Sequence, residues 1–262
     1  MEGFFLKIVV LFLFCVIIIF MRIDRLLCEL NIGTRSEVKE LLKKGLILVN
    51  GEKITKPETK VDELNALITY KGKEYRYKPF VYFMMNKPQG IVSATTDPVS
   101  RTVLDVLEEC LMEKYGEDLS GIPIRDIFPV GRLDKDTVGL LLLTNDGELS
   151  HNLLSPKKHV KKSYYVETDL PVTDNMAESL MQGVDIGEEY LTREADLKIL
   201  DEKKCILTIT EGKFHQVKRM FHAVGLQVLY LKRLSMGTLT LDEGLPEGSV
   251  RELTQEEVQN LC

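Results

Sequence analysis

No two of the five cysteines, Cys15, Cys28, Cys110, Cys205 and Cys262, stand in a C-x-x-C pair, so neither a zinc ribbon nor a disulfide framework is written into this chain. The four histidines, His151, His159, His215 and His222, form no H-x-x-x-H pair that would set two ligands on one helical face. No metal site is expected. The G-x-x-x-x-G-K-[ST] loop and the G-x-G-x-x-G turn are missing too, and no nucleotide or redox cofactor is expected. A positive net charge is also lacking: 34 Lys and Arg against 40 Asp and Glu leave −6, which argues against indiscriminate wrapping of nucleic acid.

What is present describes an ordinary folded protein. With 44% hydrophobic and 28% charged residues over 262 positions, the chain is neither disordered nor collagenous and is long enough for one sizeable domain plus a smaller one. Its basic residues are unevenly placed. Arg22, Arg25, Arg35, Lys39, Lys43 and Lys44 crowd one early segment, and Lys157, Lys158, Lys161 and Lys162 crowd a later one. Two basic patches are therefore expected on an acidic protein.

Ile8 to Met21 carry no charge, a run near the minimum for spanning a bilayer, where about 17 to 25 residues are needed. The residues Ile17-Ile18-Ile19-Phe20 lack the small side chains of a signal-peptide cleavage site. An uncleaved anchor is the literal reading. Arg22-Ile-Asp-Arg-Leu-Leu, however, follows with no linker and reads as the first helix of a folded domain. The expectation is an apolar extension over residues 1–20, upstream of a start at Met21, and a cytoplasmic protein without a membrane partner.

Thr34 with Glu37 is a capping-box pair and predicts a helix from about Arg35, with Val38, Leu41 and Leu42 as its buried stripe. Gly45 suits the left-handed end of that helix. Leu46 to Val49, Asn50-Gly51 and Glu52 to Thr55 then read as strand, tight turn and strand. Arg35, Lys39 and Lys43 share one helical face at a spacing that suits successive phosphates, although from the charges alone a solvated face is the favoured reading. The order of these parts resembles the alpha-L RNA-binding domain first named in a small-subunit ribosomal protein, over about Met21 to Tyr70. Tyr70 to Pro79 reads as an end strand and linker, with domains at 21–78 and 79–262.

In the second domain, Phe80 to Met85 reads as a strand broken by Asn86-Lys87-Pro88-Gln89-Gly90. Gly131-Arg132-Leu133-Asp134-Lys135-Asp136-Thr137 forms a charged loop before a buried strand from Val138 to Leu143. An isolated R-x-D is more simply a turn with a local ion pair. Lys162-Ser163-Tyr164-Tyr165-Val166 alternates so that Tyr164 and Val166 share a face, for which core packing is the plain explanation. Glu211 to Met220 starts a helix with the stripe Val217, Phe221 and Val224, and Lys218 lies beside it.

Taken together, N-K-P-x-G, G-R-L-D-x-D-T-x-G-L-L-L-L-T-N-D-G, K-x-Y-x-V and E-G-x-x-H-Q-V-K-R-M occur in this order. The combination resembles the pseudouridine synthases, and within them the branch acting on small-subunit ribosomal RNA, which carries an alpha-L domain in front. That resemblance implies an α+β fold: a small RNA-binding domain, then a catalytic domain with a mainly antiparallel sheet flanked by helices. It implies Asp134 as the essential catalyst, Arg132 filling the space left by a flipped uridine, and Tyr164 stacking on the target base. Lys218 would pair with Asp134, with Arg219 the weaker claimant. The basic patches would grip ribosomal RNA, within a small-subunit assembly intermediate, and the enzyme would be a monomer without a cofactor. The rivals are a sister synthase acting on large-subunit RNA and a noncatalytic RNA-binding assembly factor.

Overall fold

A threonine, a glutamate and an Asn-Gly pair account for much of the first unit. The computed structural model describes residues 20–116, 119, 122, 124 and 126–261, so the expectation for residues 1–19 lies outside them. One structural unit ends at Tyr77 and the other begins at Lys78.

The first unit runs β1 (Phe20–Arg22), α1 (Ile23–Glu29), α2 (Arg35–Lys43), β2 (Ile47–Val49), β3 (Glu52–Lys53), β4 (Lys60–Asp62), β5 (Leu67–Tyr70) and β6 (Lys73–Arg76). Thr34 caps α2 reciprocally: its backbone N–H donates to Glu37 Oε2 at 2.7 Å and its hydroxyl accepts from Glu37 N at 3.4 Å. Val38 and Leu42 then bury against Ile23, Leu26 and Leu27 of α1 and against Ile47 and Ile68 of the sheet. Burying each such side chain contributes about 1.5 to 3 kcal/mol. Asn50 and Gly51 take φ of 52° and 85°, the positive values a two-residue hairpin needs, and Val49 pairs with Glu52.

One expectation in this unit is corrected. The first helix does not begin at Arg22, because Phe20–Arg22 is a strand paired antiparallel with Lys60–Asp62. The helix can start straight off that strand because two of its leading amides find acceptors nearby. Ile23 N donates to Thr59 O at 2.8 Å and Asp24 N to Pro57 O at 3.2 Å. Tyr70 to Pro79 does hold the expected end strand: β6 is the edge of the sheet β3-β2-β5-β6. Tyr70 closes β5, Lys71 and Gly72 turn with φ of 50° and 75°, and β6 pairs back as a second hairpin.

The second unit continues with β7 (Tyr82–Lys87), α3 (Val103–Tyr115), β8 (Phe128–Pro129), β9 (Val138–Thr144), α4 (Gly147–Leu154), β10 (Lys162–Thr168) and α5 (Asp174–Gln182). It closes with β11 (Asp196–Asp201), β12 (Lys204–Ile209), α6 (Gln216–Ala223), β13 (Val228–Met236), β14 (Leu239–Thr240), β15 (Val250–Glu252) and α7 (Gln255–Asn260). The strands form one sheet in the order β11-β12-β10-β13-β9-β7-β15, with β14 beside β13 and β8 beside β9. Its pairs are antiparallel except β9 with β13. Helices cover both faces of this α+β sheet. Leu141 and Leu143 point into a cluster with Val106 and Leu107 of α3 and Met220 and Phe221 of α6. Leu140 and Leu142 point the other way, against Leu149 and Leu153 of α4. A strand buried on both faces reads as an unbroken apolar run, which is why Val138 to Leu143 carries no alternation.

The strand expected to break at Asn86 instead extends through Lys87. Both polar side chains are buried and find carbonyls: Asn86 Nδ2 donates to Leu245 O at 2.8 Å, and Lys87 Nζ donates to Thr137 O at 2.9 Å. On α6 the buried stripe is Val217, Met220 and Phe221, with Val224 partly buried just past the helix end.

Candidate active site

Register across the sheet builds the floor of the site. Lys87 of β7 pairs with Gly139 of β9, Gly139 with Arg233 of β13, Arg233 with Tyr164 of β10, and Tyr164 with Leu207 of β12. Tyr164 is 8% exposed and belongs to the same apolar cluster as Leu133. Tyr165 points to the opposite face and donates its hydroxyl to Glu167 Oε1 at 2.6 Å. Gly139 is required where β9 meets β13 in parallel: its φ is +98°, and a Cβ there would lie 2.4 Å from Arg233 O.

The loop Arg132–Thr137 enters β9 and is fastened at both ends. At its start, Leu133 N donates to Ser93 Oγ at 3.1 Å and Ser93 Oγ donates to Leu133 O at 2.9 Å. Near its end, Gly90 N donates to Lys135 O at 2.7 Å. Lys87 fixes it from beneath. This ammonium, on a side chain with no exposed surface, donates to Thr137 O at 2.9 Å, Pro88 O at 3.1 Å and Lys135 O at 3.4 Å. Burial pushes the Lys87 pKa down to about 8, against the pull of Asp136 and Asp134, which favour the charged form.

Asp134 stands on this loop with 27% of its side chain exposed. Lys218, from α6, places Nζ 3.3 Å from Asp134 Oδ2. The expected pairing of Asp134 with Lys218 is therefore formed in the structure. Arg219 turns away to Glu188 Oε1 at 2.8 Å and to the carbonyls of Phe214 and Ile186. Arg132, two residues before Asp134, is exposed and has no ion-pair partner among the described residues.

Three neighbours escaped the motif reading. His215 Nε2 lies 3.4 Å from Asp134 Oδ1, so the two carboxylate oxygens face two different nitrogen groups. Asp136 also accepts from Lys218, and that ammonium holds its carboxyl below the usual carboxylate range. Arg233, 2% exposed beside Tyr164, donates Nε to Leu140 O at 2.7 Å. The second carboxylate of D-x-D and the histidine before Q-V-K were visible in the sequence, but only a fold brings them to one point. For Arg233 no local signal exists.

The outlying basic residues are less uniform than their spacing implies. Arg22, Arg25, Arg35, Lys39, Lys43 and Lys44 are all exposed, with Arg22 meeting Asp24 at 2.8 Å, Arg25 meeting Glu29 at 3.4 Å and Lys43 meeting Glu40 at 3.4 Å. Lys157, Lys158 and Lys161 are exposed, and Lys161 meets Asp196 at 3.3 Å. Lys162 turns inward instead, donating to Val160 O at 3.3 Å. Burial, with Arg233 nearby, lowers its pKa, so the four lysines do not form one surface patch.

Residues 81–223 match the family model for RNA pseudouridylate synthase, and residues 21–65 match the S4 domain. The uncharacterized RNA pseudouridine synthase YtzG of Bacillus subtilis is 45% identical over 245 residues, covering 92% of this chain and 98% of that protein. The ribosomal small subunit pseudouridine synthase A of Vibrio cholerae is 39% identical over 242 residues, covering 92% and 99%. A crystal structure of a pseudouridylate synthase superposes with a TM-score of 0.62 at 35% identity, covering 92% of this chain and all of the other. The catalytic motifs, the sheet that carries them and these relatives agree: the chain belongs to the RNA pseudouridylate synthase family, a pseudouridine synthase with an RNA-binding S4 domain ahead of its catalytic domain.

Proposed function

We propose that this enzyme isomerises one uridine of small-subunit ribosomal RNA to pseudouridine, with Asp134 as its catalytic group. The observation that carries the reading is Asp134 held between Lys218 and His215 on a fastened loop, next to the row of residues that includes Tyr164. The reaction breaks the bond from ribose C1′ to N1 of uracil, turns the base, joins C1′ to C5 and moves the C5 proton away as N1 regains one. Nothing is added or removed overall, so no cofactor is called for.

Asp134 fits either of two roles as an ionised carboxylate. It attacks C1′ and leaves as the new bond forms, or it takes the proton from C2′ and returns it. Lys218 sets an ammonium 3.3 Å from the carboxylate and so holds it in place. Tyr164 offers a flat ring to retain the loose uracil, a stack worth about 1 to 3 kcal/mol. A base inside a helix cannot reach this site, so the nucleotide is extruded at a cost of a few kcal/mol, which Arg132 offsets by filling the gap. The exposed basic face of α2 and the lysines Lys157, Lys158 and Lys161 contact phosphates and position the RNA.

The names of the relatives favour the small-subunit target. The enzyme acts as a cytoplasmic monomer on RNA in a partly assembled subunit; among the described residues no helix is long and apolar enough to cross a membrane. The test is pseudouridine mapping in ribosomal RNA from a strain lacking the gene. One small-subunit uridine is expected to stay unmodified, to recover with the wild-type gene and not with Asp134→Asn. A missing site in large-subunit RNA would assign the sister activity, and turnover by Asp134→Asn would remove Asp134 from catalysis. A large, primary slowing by deuterium at C2′ of the target marks the proton-abstraction route.

A further inference from the structure

Phe214 is left without a task by the chemistry above, yet it stands at the site. Its ring is 71% exposed. One face lies on the His215 imidazole, with centroids 3.8 Å apart and planes 18° from parallel. That imidazole reaches Asp134 Oδ1 at 3.4 Å. The other face of the phenyl ring is therefore open to solvent within two side chains of the reacting carboxylate.

The arrangement is held deliberately by its surroundings. His215 takes φ 48° and ψ 32°, the left-handed region that residues with a Cβ disfavour. The turn is fastened on each side: Lys213 N donates to Gln216 Oε1 at 2.9 Å, and Gln216 Nε2 donates to Glu211 Oε1 at 2.7 Å. Arg219 Nη1 binds Phe214 O at 3.1 Å. A single exposed aromatic is ordinary on a protein surface. This one is accompanied. Tyr190 is 72% exposed, and its carbonyl accepts from Lys213 Nζ at 3.4 Å. Lys213 is already paired, since Glu211 lies 4.0 Å from its ammonium and only 27% of its side chain is exposed, so the two exposed rings are what this edge offers to unpaired nucleotides, whose bases stack on aromatic side chains.

Extruding a nucleotide strips each of its two neighbours of a stacking partner; Arg132 in the gap covers one of these faces and leaves the other base face bare. We propose that Phe214 supplies the missing partner: its open face stacks on a nucleobase adjacent to the target uridine, holding the RNA splayed while the uridine sits by Tyr164. The inference deepens the functional reading and rests on Asp134 being the catalyst. Because every base has a π-face, the stack tolerates any neighbour and adds affinity rather than sequence readout.

The experiment compares Phe214→Ala, Phe214→Leu and Phe214→Trp with wild type and Asp134→Asn, using ribosomal particles from a strain lacking the gene as substrate. The Ala and Leu variants are expected to raise KM about tenfold, while the single-turnover rate at saturating substrate falls less than about threefold. The Trp variant is expected to keep KM within about twofold of wild type. An exposed ring leaves thermal unfolding unchanged, which separates binding from folding. KM of the Ala variant within about twofold of wild type, or Leu performing as well as Trp, overturns the stack. Loss of activity in Asp134→Asn alongside an unaffected Phe214→Ala sinks this proposal alone, whereas turnover by Asp134→Asn sinks the site reading and this proposal with it.

Discussion

Lys218 sits closer to Asp136 than to Asp134, sharing one ammonium between two carboxylates that leave the loop two residues apart. Asp136 is the more exposed of the pair, at 60% against 27%. It draws on the same cation that lies beside Asp134, while its own bond to Lys218 fixes where that cation lies. Asp136→Asn removes the competing charge and keeps a hydrogen-bond acceptor. Its single-turnover rate is expected to fall less than about tenfold, against a drop below about one thousandth for Asp134→Asn. Lys218→Met, which leaves both carboxylates without the ammonium, is expected to cost about a hundredfold. Equal losses in Asp136→Asn and Asp134→Asn would show that the two carboxylates act as one unit.

Gly139→Ala tests the junction of β9 with β13. The added methyl would meet Arg233 O at 2.4 Å on backbone held at φ +98°, so β9, which the Asp134 loop enters, must part from β13, whose Arg233 pairs with Tyr164 of β10. A destabilisation of about 3 kcal/mol or more is expected in denaturant melts, with activity falling further than stability explains. Unchanged melting would mean that the strands separate there without strain.

Lys39→Glu with Lys43→Glu tests the exposed face of α2. Lys43 already meets Glu40 at 3.4 Å in an exposed pair that contributes little, so both lysines remain open to phosphate. RNA affinity is expected to weaken, and the slope of log affinity against log salt to flatten by roughly 1.5 to 2 as two contacts are lost. An unaltered slope would take this helix out of the RNA interface.

Acid tests a different region. Glu257 accepts from Arg251 at 2.9 and 2.7 Å and from Thr254 N at 2.8 Å. The Arg251 guanidinium is the main cause of its pKa falling from 4.5 to about 2. A carboxyl depressed on folding stabilises the protein above its unfolded pKa and loses that contribution as pH falls through the folded one. Glu257→Gln is therefore expected to be about 1 to 3 kcal/mol less stable at pH 7. Denaturant titrations should show the gap closing between about pH 4.5 and 2, and a gap that persists below pH 2 would assign it to shape rather than charge.

Where the chain announces structure locally, the sequence is legible. Thr34 with Glu37, Asn50 with Gly51 and the apolar run from Val138 each carry their own geometry, and each element forms where expected. Asp134 and Lys218 were found through motifs, and the sheet then brought them to 3.3 Å. Illegible parts depend on distant partners. Phe20–Arg22 becomes a strand only because Lys60–Asp62 lies beside it. Asn86 and Lys87 look like a breaker until carbonyls on other segments satisfy them. His215 adopts a glycine-like backbone angle without being glycine, so nothing in its identity reveals the turn that aims it at Asp134.

The Lys87 ammonium has no water to fall back on. Shifting the span from Arg132 to Thr137 would take away the Lys135 and Thr137 carbonyls and leave Pro88 O alone to hold a charge deep in the fold. That wall of the cleft is an anvil, fully set before any nucleotide arrives. The segment from Glu211 to His215 is fastened as well, so what differently shaped RNA meets there is the solvent-facing ring of Phe214.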